Sequence, residues 1–83
     1  MQILYFAWLK TYTGTSQETV EPPAEVADVA GLLDWLAGRS QAHANALADR
    51  QAVRVAVNQE YARQSDPVKP GDEVALFPPV TGG

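Results

Sequence analysis

The chain ends in Asp72-Glu73-Val74-Ala75-Leu76-Phe77-Pro78-Pro79-Val80-Thr81-Gly82-Gly83, and this stretch decides the predicted fold. Side chains alternate with a period of two as far as Phe77, which predicts a strand with two different faces. Pro78 and Pro79 end the strand, because proline has no N–H group to donate to a neighbouring strand. We therefore predict a folded domain over residues 1–77 and a flexible tail over residues 78–83.

The predicted tail ends in Gly82 and Gly83, the residues with the slimmest backbone. Because no side chain flanks the backbone there, such a tail is able to enter a narrow active site and present its terminal carboxylate as the reacting group. The alternative is a frayed chain end, since termini are often disordered. The strand and the two prolines directly before the glycines favour the functional interpretation.

The composition predicts one small domain with a hydrophobic core. Apolar residues make up 46% of the chain and charged residues 19%, which is too few charges for a disordered protein. The sequence contains no cysteine, which excludes disulfides, thiolate metal sites and a sulfur relay through cysteine. The net charge of −4 argues against nucleic acid, and no apolar run is long enough to span a membrane. We expect a cytoplasmic protein.

The periodicity and the turn signals predict the element order β-β-α-α-β-β-β. The main helix spans residues 26–37, with Asp28 as its N-cap, and a short alanine-rich helix capped by Ser40 spans residues 41–47. The predicted strands cover residues 2–10, 17–21, 53–57, 60–62 and 72–77.

This order predicts an α+β fold in which one mixed sheet packs on the main helix. Four apolar positions of that helix follow the i, i+3, i+4, i+7 pattern and form one stripe, which we expect to face the sheet. The predicted core consists of Ile3, Tyr5, Val20, Val29, Leu32, Leu33, Leu36, Val53, Val55, Val74 and Leu76.

The opposite face of the sheet is predicted to carry an aromatic cluster. Phe6 and Phe77 alternate out of phase with the core positions of their strands, and Tyr61 is expected to join them. An exposed apolar cluster beside a reactive tail would form a docking surface for a partner. The alternative is that the second helix or a long loop folds back and covers it.

No catalytic or metal-binding set stands out in the sequence. His43, the single histidine, has no cysteine or carboxylate at metal-ligand spacing, so we predict a surface or half-buried side chain. Asp72 and Glu73 form an acidic pair in a turn and are predicted to be solvated. Trp8 and Trp35 are interpreted as packing residues.

Three segments resemble the MoaD family, whose members are the small, sulfur-carrying subunits of molybdopterin synthase. The most specific segment is the ending quoted above. Val55-Ala56-Val57-Asn58-Gln59 and Ile3-Leu4-Tyr5-Phe6-Ala7 are similar to the family at matching places. The resemblance covers the whole chain and implies a ubiquitin-like β-grasp fold, which agrees with the predicted element order.

The resemblance also implies a mechanism that acts on Gly83. An adenylating enzyme of the MoeB type would use ATP to activate the terminal carboxylate, and sulfur from a donor protein would replace AMP to leave a thiocarboxylate. A large subunit of the MoaE type, in an expected heterotetramer, would take in the tail and pass the sulfur to cyclic pyranopterin monophosphate. Catalysis is expected in the large subunit, and the small chain is expected to bind no cofactor and no metal.

The resemblance assigns roles to individual residues. Gly83 would carry the sulfur, and Gly82 would keep the end slim enough to be threaded. The residues expected to contact partner proteins are Phe6, Tyr61, Phe77, Pro78, Pro79, Val80 and Thr81.

Two other functions remain open. The chain would be a sulfur carrier for another pathway, such as thiamine synthesis, or a ubiquitin-like modifier whose Gly83 forms an isopeptide bond with lysines. The Phe-Pro-Pro-Val-Thr stretch before the glycines favours molybdopterin synthase.

Overall fold

The computed structural model describes residues 1–79. Within this range the strands are β1 (Gln2–Tyr5), β2 (Gln17–Thr19), β3 (Arg54–Val57), β4 (Glu60–Ala62) and β5 (Glu73–Phe77). The helices are α1 (Trp8–Thr13), α2 (Val29–Ala37) and α3 (Gln41–Ala46), followed by a 3-10 turn at Arg50–Ala52.

The strands form one mixed sheet in the order β2-β1-β5-β3-β4. The central pair, β1 and β5, is parallel, and every other pair is antiparallel. A parallel pair needs a crossover connection, and the segment that contains α2 supplies one on a single face of the sheet. This arrangement confirms the predicted α+β class with one mixed sheet and a main helix.

Helix α2 covers the inner face of the sheet. Its buried side chains are Val29, Leu32, Leu33 and Leu36. The carboxylate of Asp28 accepts a hydrogen bond from the backbone N–H of Gly31 at 2.8 Å, which confirms Asp28 as the N-cap. Because the cap residue itself is extended, with φ −140° and ψ 172°, the helix begins at Val29 rather than at the predicted residue 26.

All predicted core residues are buried in one cluster. The cluster also contains residues that the sequence pattern did not select: Leu9, Ala46, Leu47 and Val68. As predicted, Trp8 and Trp35 are partly buried and pack against it.

The prediction of a first strand over residues 2–10 is wrong beyond Tyr5. After Phe6, which still donates to the carbonyl oxygen of Leu76 at 3.1 Å, the chain turns at Ala7, whose φ is +54°. It then forms α1, which buries Leu9 completely and ends at Gly14 in the left-handed conformation. A short apolar run fits a strand and a helix equally well, so periodicity alone did not separate them.

Other predicted boundaries move by one or two residues. Strand β2 ends at Thr19 and α3 at Ala46, while β3 begins at Arg54. The predicted tight turn between β3 and β4 is confirmed, because Asn58 and Gln59 have φ of +52° and +72°. No helix among residues 1–79 is long and apolar enough to cross a membrane.

Candidate functional site

The outer face of the sheet, opposite α2, carries the predicted aromatic residues. The strand register places Leu4, Ala75, Ala56 and Tyr61 in one row across β1, β5, β3 and β4. Phe77 lies in the next row, where it is paired with Arg54. Because Ala56 and Ala75 in the middle of this face are small, the aromatic rings are its largest side chains.

We call Phe6, Tyr61 and Phe77 the aromatic face. Tyr61 is 80% exposed and Phe6 49% exposed, so neither a loop nor α3 covers them. The rings of Tyr61 and Phe77 lie 5.9 Å apart between centroids, at an angle of 52°. Phe6 directly follows β1 and lies beside the end of β5, as its hydrogen bond to Leu76 shows. The predicted docking cluster is therefore an open surface of the described chain.

The chain leaves the sheet at the edge of this aromatic face. Strand β5 ends at Phe77, and Pro78 and Pro79 follow it outside the strand and half-buried. Because β1 and β5 are parallel, Phe6 and the exit of the tail lie at the same end of the sheet. The predicted site residues Val80, Thr81, Gly82 and Gly83 lie outside the described residues.

The other end of β5 is held by hydrogen bonds around Asp72. This side chain is only 6% exposed, so the prediction that it is solvated is wrong. The turn before β5 folds the carboxylate inward, where it accepts from the side-chain amide of Asn58 at 3.0 Å and from the backbone N–H of Lys69 at 2.9 Å. Asn58 in turn accepts from the backbone N–H of Glu73 at 3.0 Å.

These contacts stabilise the charged form of Asp72. The hydrogen bond from Asn58 lowers the pKa of the Asp72 carboxyl, burial opposes the shift, and the Lys69 N–H and ammonium lower the pKa further. The charged carboxylate therefore connects the β3–β4 turn to the start of β5, which fixes the register of the strand that leads to the tail.

A second polar cluster gathers on Glu18 at the edge of the sheet. One carboxylate oxygen of Glu18 lies 2.7 Å from the hydroxyl of Tyr5, which donates to it, and 2.7 Å from Nε2 of His43. The other oxygen lies 3.6 Å from the Arg39 guanidinium. Ser40 Oγ is 2.7 Å from Nδ1 of His43 within the N-terminal turn of α3. The contact between His43 and Glu18 ties α3 to β2, and the bond from Tyr5 to Glu18 ties β2 to β1.

Burial alone would raise the pKa of Glu18, but the hydrogen bonds from His43 and Tyr5 and the charges of His43 and Arg39 lower it. Burial, the hydrogen bond to Glu18 and the charge of Glu18 raise the pKa of Tyr5 well above its usual value of 10. His43 is half-buried as predicted, with its side chain 13% exposed.

Sequence reasoning missed the partner of His43, because Glu18 lies 25 residues away in the chain. One sequence feature could have indicated a buried partner for Glu18. It is a charged residue at an inward position of a short strand, because Glu18 pairs with the core residue Ile3. The Ser40 oxygen also accepts the backbone N–H of His43 as the cap of α3. The cluster thus joins elements of the fold and lies apart from the aromatic face. Among residues 1–79 there is no group of three or more side chains placed to hold a metal ion.

Comparisons with known proteins place this architecture in a family. The model of the ThiS family matches residues 3–83. This chain belongs to the ThiS family. This chain is 39% identical to the molybdopterin synthase sulfur carrier subunit of Escherichia coli strain K12, over 100% of its own length and 99% of that protein. It is 36% identical to the human subunit of the same name, over 100% of this chain and 93% of that protein.

A solved structure agrees with this ThiS-family fold. The crystal structure of Haloferax volcanii small archaeal modifier protein 1 superposes with a TM-score of 0.77 and 34% sequence identity, over 96% of this chain and 97% of that chain. The implied ubiquitin-like β-grasp fold is confirmed by this likeness and by the observed sheet order.

Proposed function

We propose that this chain is the sulfur carrier subunit of a molybdopterin synthase and that the carboxylate of Gly83 carries the sulfur. The observation that supports the proposal most strongly is the similarity over the full chain to subunits of that name. The open aromatic face beside the exit of β5 supports it independently, because a carrier must dock on the enzymes that load and unload it.

The first step of the proposed cycle activates the terminal carboxylate. A carboxylate is a poor electrophile, so an adenylating enzyme of the MoeB type uses ATP: a carboxylate oxygen attacks the α-phosphorus and pyrophosphate leaves. The outer sulfur of a donor protein's persulfide then attacks the carbonyl carbon, and AMP leaves. A thiol of the donor system cleaves the S–S bond of the resulting acyl disulfide, which yields the thiocarboxylate and a disulfide on the donor side. Since the sequence has no cysteine, the chain holds the sulfur on its terminal carbon.

The second step delivers the sulfur inside a large subunit of the MoaE type. The thiocarboxylate sulfur is a soft nucleophile and forms a C–S bond to a side-chain carbon of cyclic pyranopterin monophosphate, and the C–O bond at that carbon breaks as its oxygen group leaves. Water then cleaves the acyl C–S bond and restores the carboxylate of Gly83. Two such transfers build the dithiolene, and the acid–base groups for both belong to the large subunit in a heterotetramer. The small chain contributes docking through Phe6, Tyr61 and Phe77 and a slim end at Gly82.

A ubiquitin-like modifier is the second candidate function. The observation that favours it is the likeness to small archaeal modifier protein 1. In that case a lysine amine on another protein, rather than sulfur, would attack the activated carbon of Gly83 and form an isopeptide bond. Both functions share the adenylation step, so the discriminating step is what replaces AMP.

The test is an intact-mass measurement after incubation with ATP, an adenylating enzyme of the MoeB type and a sulfur donor. We expect a mass gain equal to the exchange of one oxygen for sulfur, located at Gly83. The control is a chain without Gly83, which we expect to remain unmodified while its melting temperature is unchanged. Attachment to a lysine would support the modifier function, and an unmodified chain beside a competent enzyme would refute both.

A further inference from the structure

Arg54 is an exposed cation on the outer face, beside Tyr61 and Phe77. It lies opposite Phe77 in the register of β3 and β5. Together with Tyr61 and Phe77 it lines a shallow cleft of about 320 Å³. The remaining lining of this cleft is apolar, so Arg54 supplies its only formal charge among the described residues.

The guanidinium of Arg54 has no carboxylate partner within residues 1–79. One of its nitrogens donates to the backbone carbonyl of Gln51 at 2.8 Å, which fixes the direction of the side chain. Arg39 and Arg50, in contrast, each lie against a carboxylate of the chain, at 3.6 and 2.9 Å. The charge of Arg54 is thus held in place and remains available to another molecule.

A protein that reacts with Gly83, the proposed reacting residue, lies close to Arg54. Gly83 is four residues beyond Pro79, and a fully extended chain of four residues spans at most about 14 Å. The partner that receives the tail therefore lies against the end of β5, where Phe77 and Arg54 are paired. Covering this end removes water from the guanidinium, which is costly unless the partner supplies a counter-charge.

We propose that Arg54 selects a partner that presents an aspartate or glutamate carboxylate among apolar side chains, opposite Tyr61 and Phe77. This inference rests on the proposed function, in which the tail enters a partner enzyme. Arginine suits such a contact because its planar guanidinium bonds a carboxylate with two parallel hydrogen bonds. The whole chain has a net charge of −4 and is repelled by acidic surfaces. We therefore expect the partner to place a carboxylate directly opposite Arg54 rather than to present a broad acidic surface.

The test compares Arg54→Gln with Lys69→Gln in binding to the large subunit of molybdopterin synthase from the same organism. Both variants remove one positive charge from an exposed side chain, but Lys69 lies in the turn before β5, at the other end of the strand. Dissociation constants are measured by calorimetry at low and high salt. We expect Arg54→Gln to weaken binding by about 30-fold and to flatten its salt dependence, and Lys69→Gln to change binding by less than about fivefold. Equal melting temperatures of the two variants and the parent chain exclude a folding defect.

A change of less than about fivefold for Arg54→Gln, the size of a solvent-screened surface pair, overturns the inference. Tighter binding also overturns it, since that would mean that Arg54 opposes the complex. Phe77→Ala, measured in the same assay, distinguishes loss of the docking face from loss of the carboxylate contact at Arg54. If Phe77→Ala weakens binding and Arg54→Gln does not, the docking face stands and only the carboxylate partner is refuted. If the parent chain does not bind the large subunit, the proposed function fails together with the inference.

Discussion

The two faces of β5 show how this small chain divides stability from function. Leu76 points to the inner face and is completely buried under α2, whereas its neighbour Phe77 points to the outer face beside the exposed Tyr61. The inner face excludes water within the chain itself, and the outer face can do so only with a partner. One strand therefore anchors the fold and, one residue later, displays the contact surface.

The comparison also extends along β5. Its first end is fixed by Asp72, whose carboxylate is bonded to Asn58 and Lys69. Its last end leads through Phe77 to the two prolines. A strand held firmly at one end gives Phe77, Pro78 and Pro79 a defined position at the other, beside the aromatic face.

The largest expected effect is on the inner face. Leu76→Ala should lower the free energy of unfolding by about 2–5 kcal/mol, because it leaves a cavity in the core. Urea unfolding followed by circular dichroism measures it, and Glu25→Ala, at an exposed position, is the control. A loss below about 1 kcal/mol would mean that the inner face of β5 is not the anchor of the fold.

A smaller effect is expected at the start of β5. Asp72→Asn should cost about 1–3 kcal/mol at neutral pH, because an NH2 group replaces one of the two accepting oxygens and leaves either the Asn58 amide or the Lys69 N–H without its acceptor. Since the folded pKa of Asp72 is lowered from 3.8, its contribution is present above that value and is lost as the pH falls through the folded pKa.

The measurement for Asp72 is urea unfolding of parent and variant between neutral pH and pH about 2. The difference between the two should shrink as the pH falls below 3.8. Glu73→Gln, at the half-exposed neighbouring position, is the control. A difference that stays constant over this range would show that the charge of Asp72 does not hold the strand.

The smallest expected effect on the fold, with the clearest effect on binding, is at the outer face. Phe77→Ala should weaken binding to the large subunit by about tenfold or more, because truncated aromatic anchors dominate interface energies. The same variant should lose less unfolding free energy than Leu76→Ala. Calorimetry and urea unfolding of both variants, Leu76→Ala and Phe77→Ala, give the comparison. Equal losses of unfolding free energy would contradict the division between a stabilising inner face and a binding outer face.

Period-two alternation and the helical stripe were sufficient to find the sheet, α2 and the whole predicted core, because burial on one face imposes that pattern. The same logic predicted the outward direction of Phe6, Tyr61 and Phe77. It failed at Trp8–Thr13, where a short apolar run that ends in Leu9 is compatible with either a strand or a helix.

Contacts between distant segments could not be predicted from local pattern. Glu18 and His43 meet only because β2 and α3 pack side by side, and Asp72 is buried only because the preceding turn folds over Asn58. The functional ending is a different case. The residue pattern predicts a slim end after a strand, but the sulfur chemistry proposed for Gly83 rests on family resemblance and has no signal in periodicity or charge.

The most direct test of the proposed carrier function follows one sulfur atom through a single turnover. Chain that bears the thiocarboxylate is mixed with the large subunit and cyclic pyranopterin monophosphate, and its intact mass is followed together with the sulfur content of the product. We predict that the chain returns to the mass of the free carboxylate as the product gains sulfur. A chain that keeps its thiocarboxylate, beside a large subunit that is active with another carrier, would contradict the proposed function.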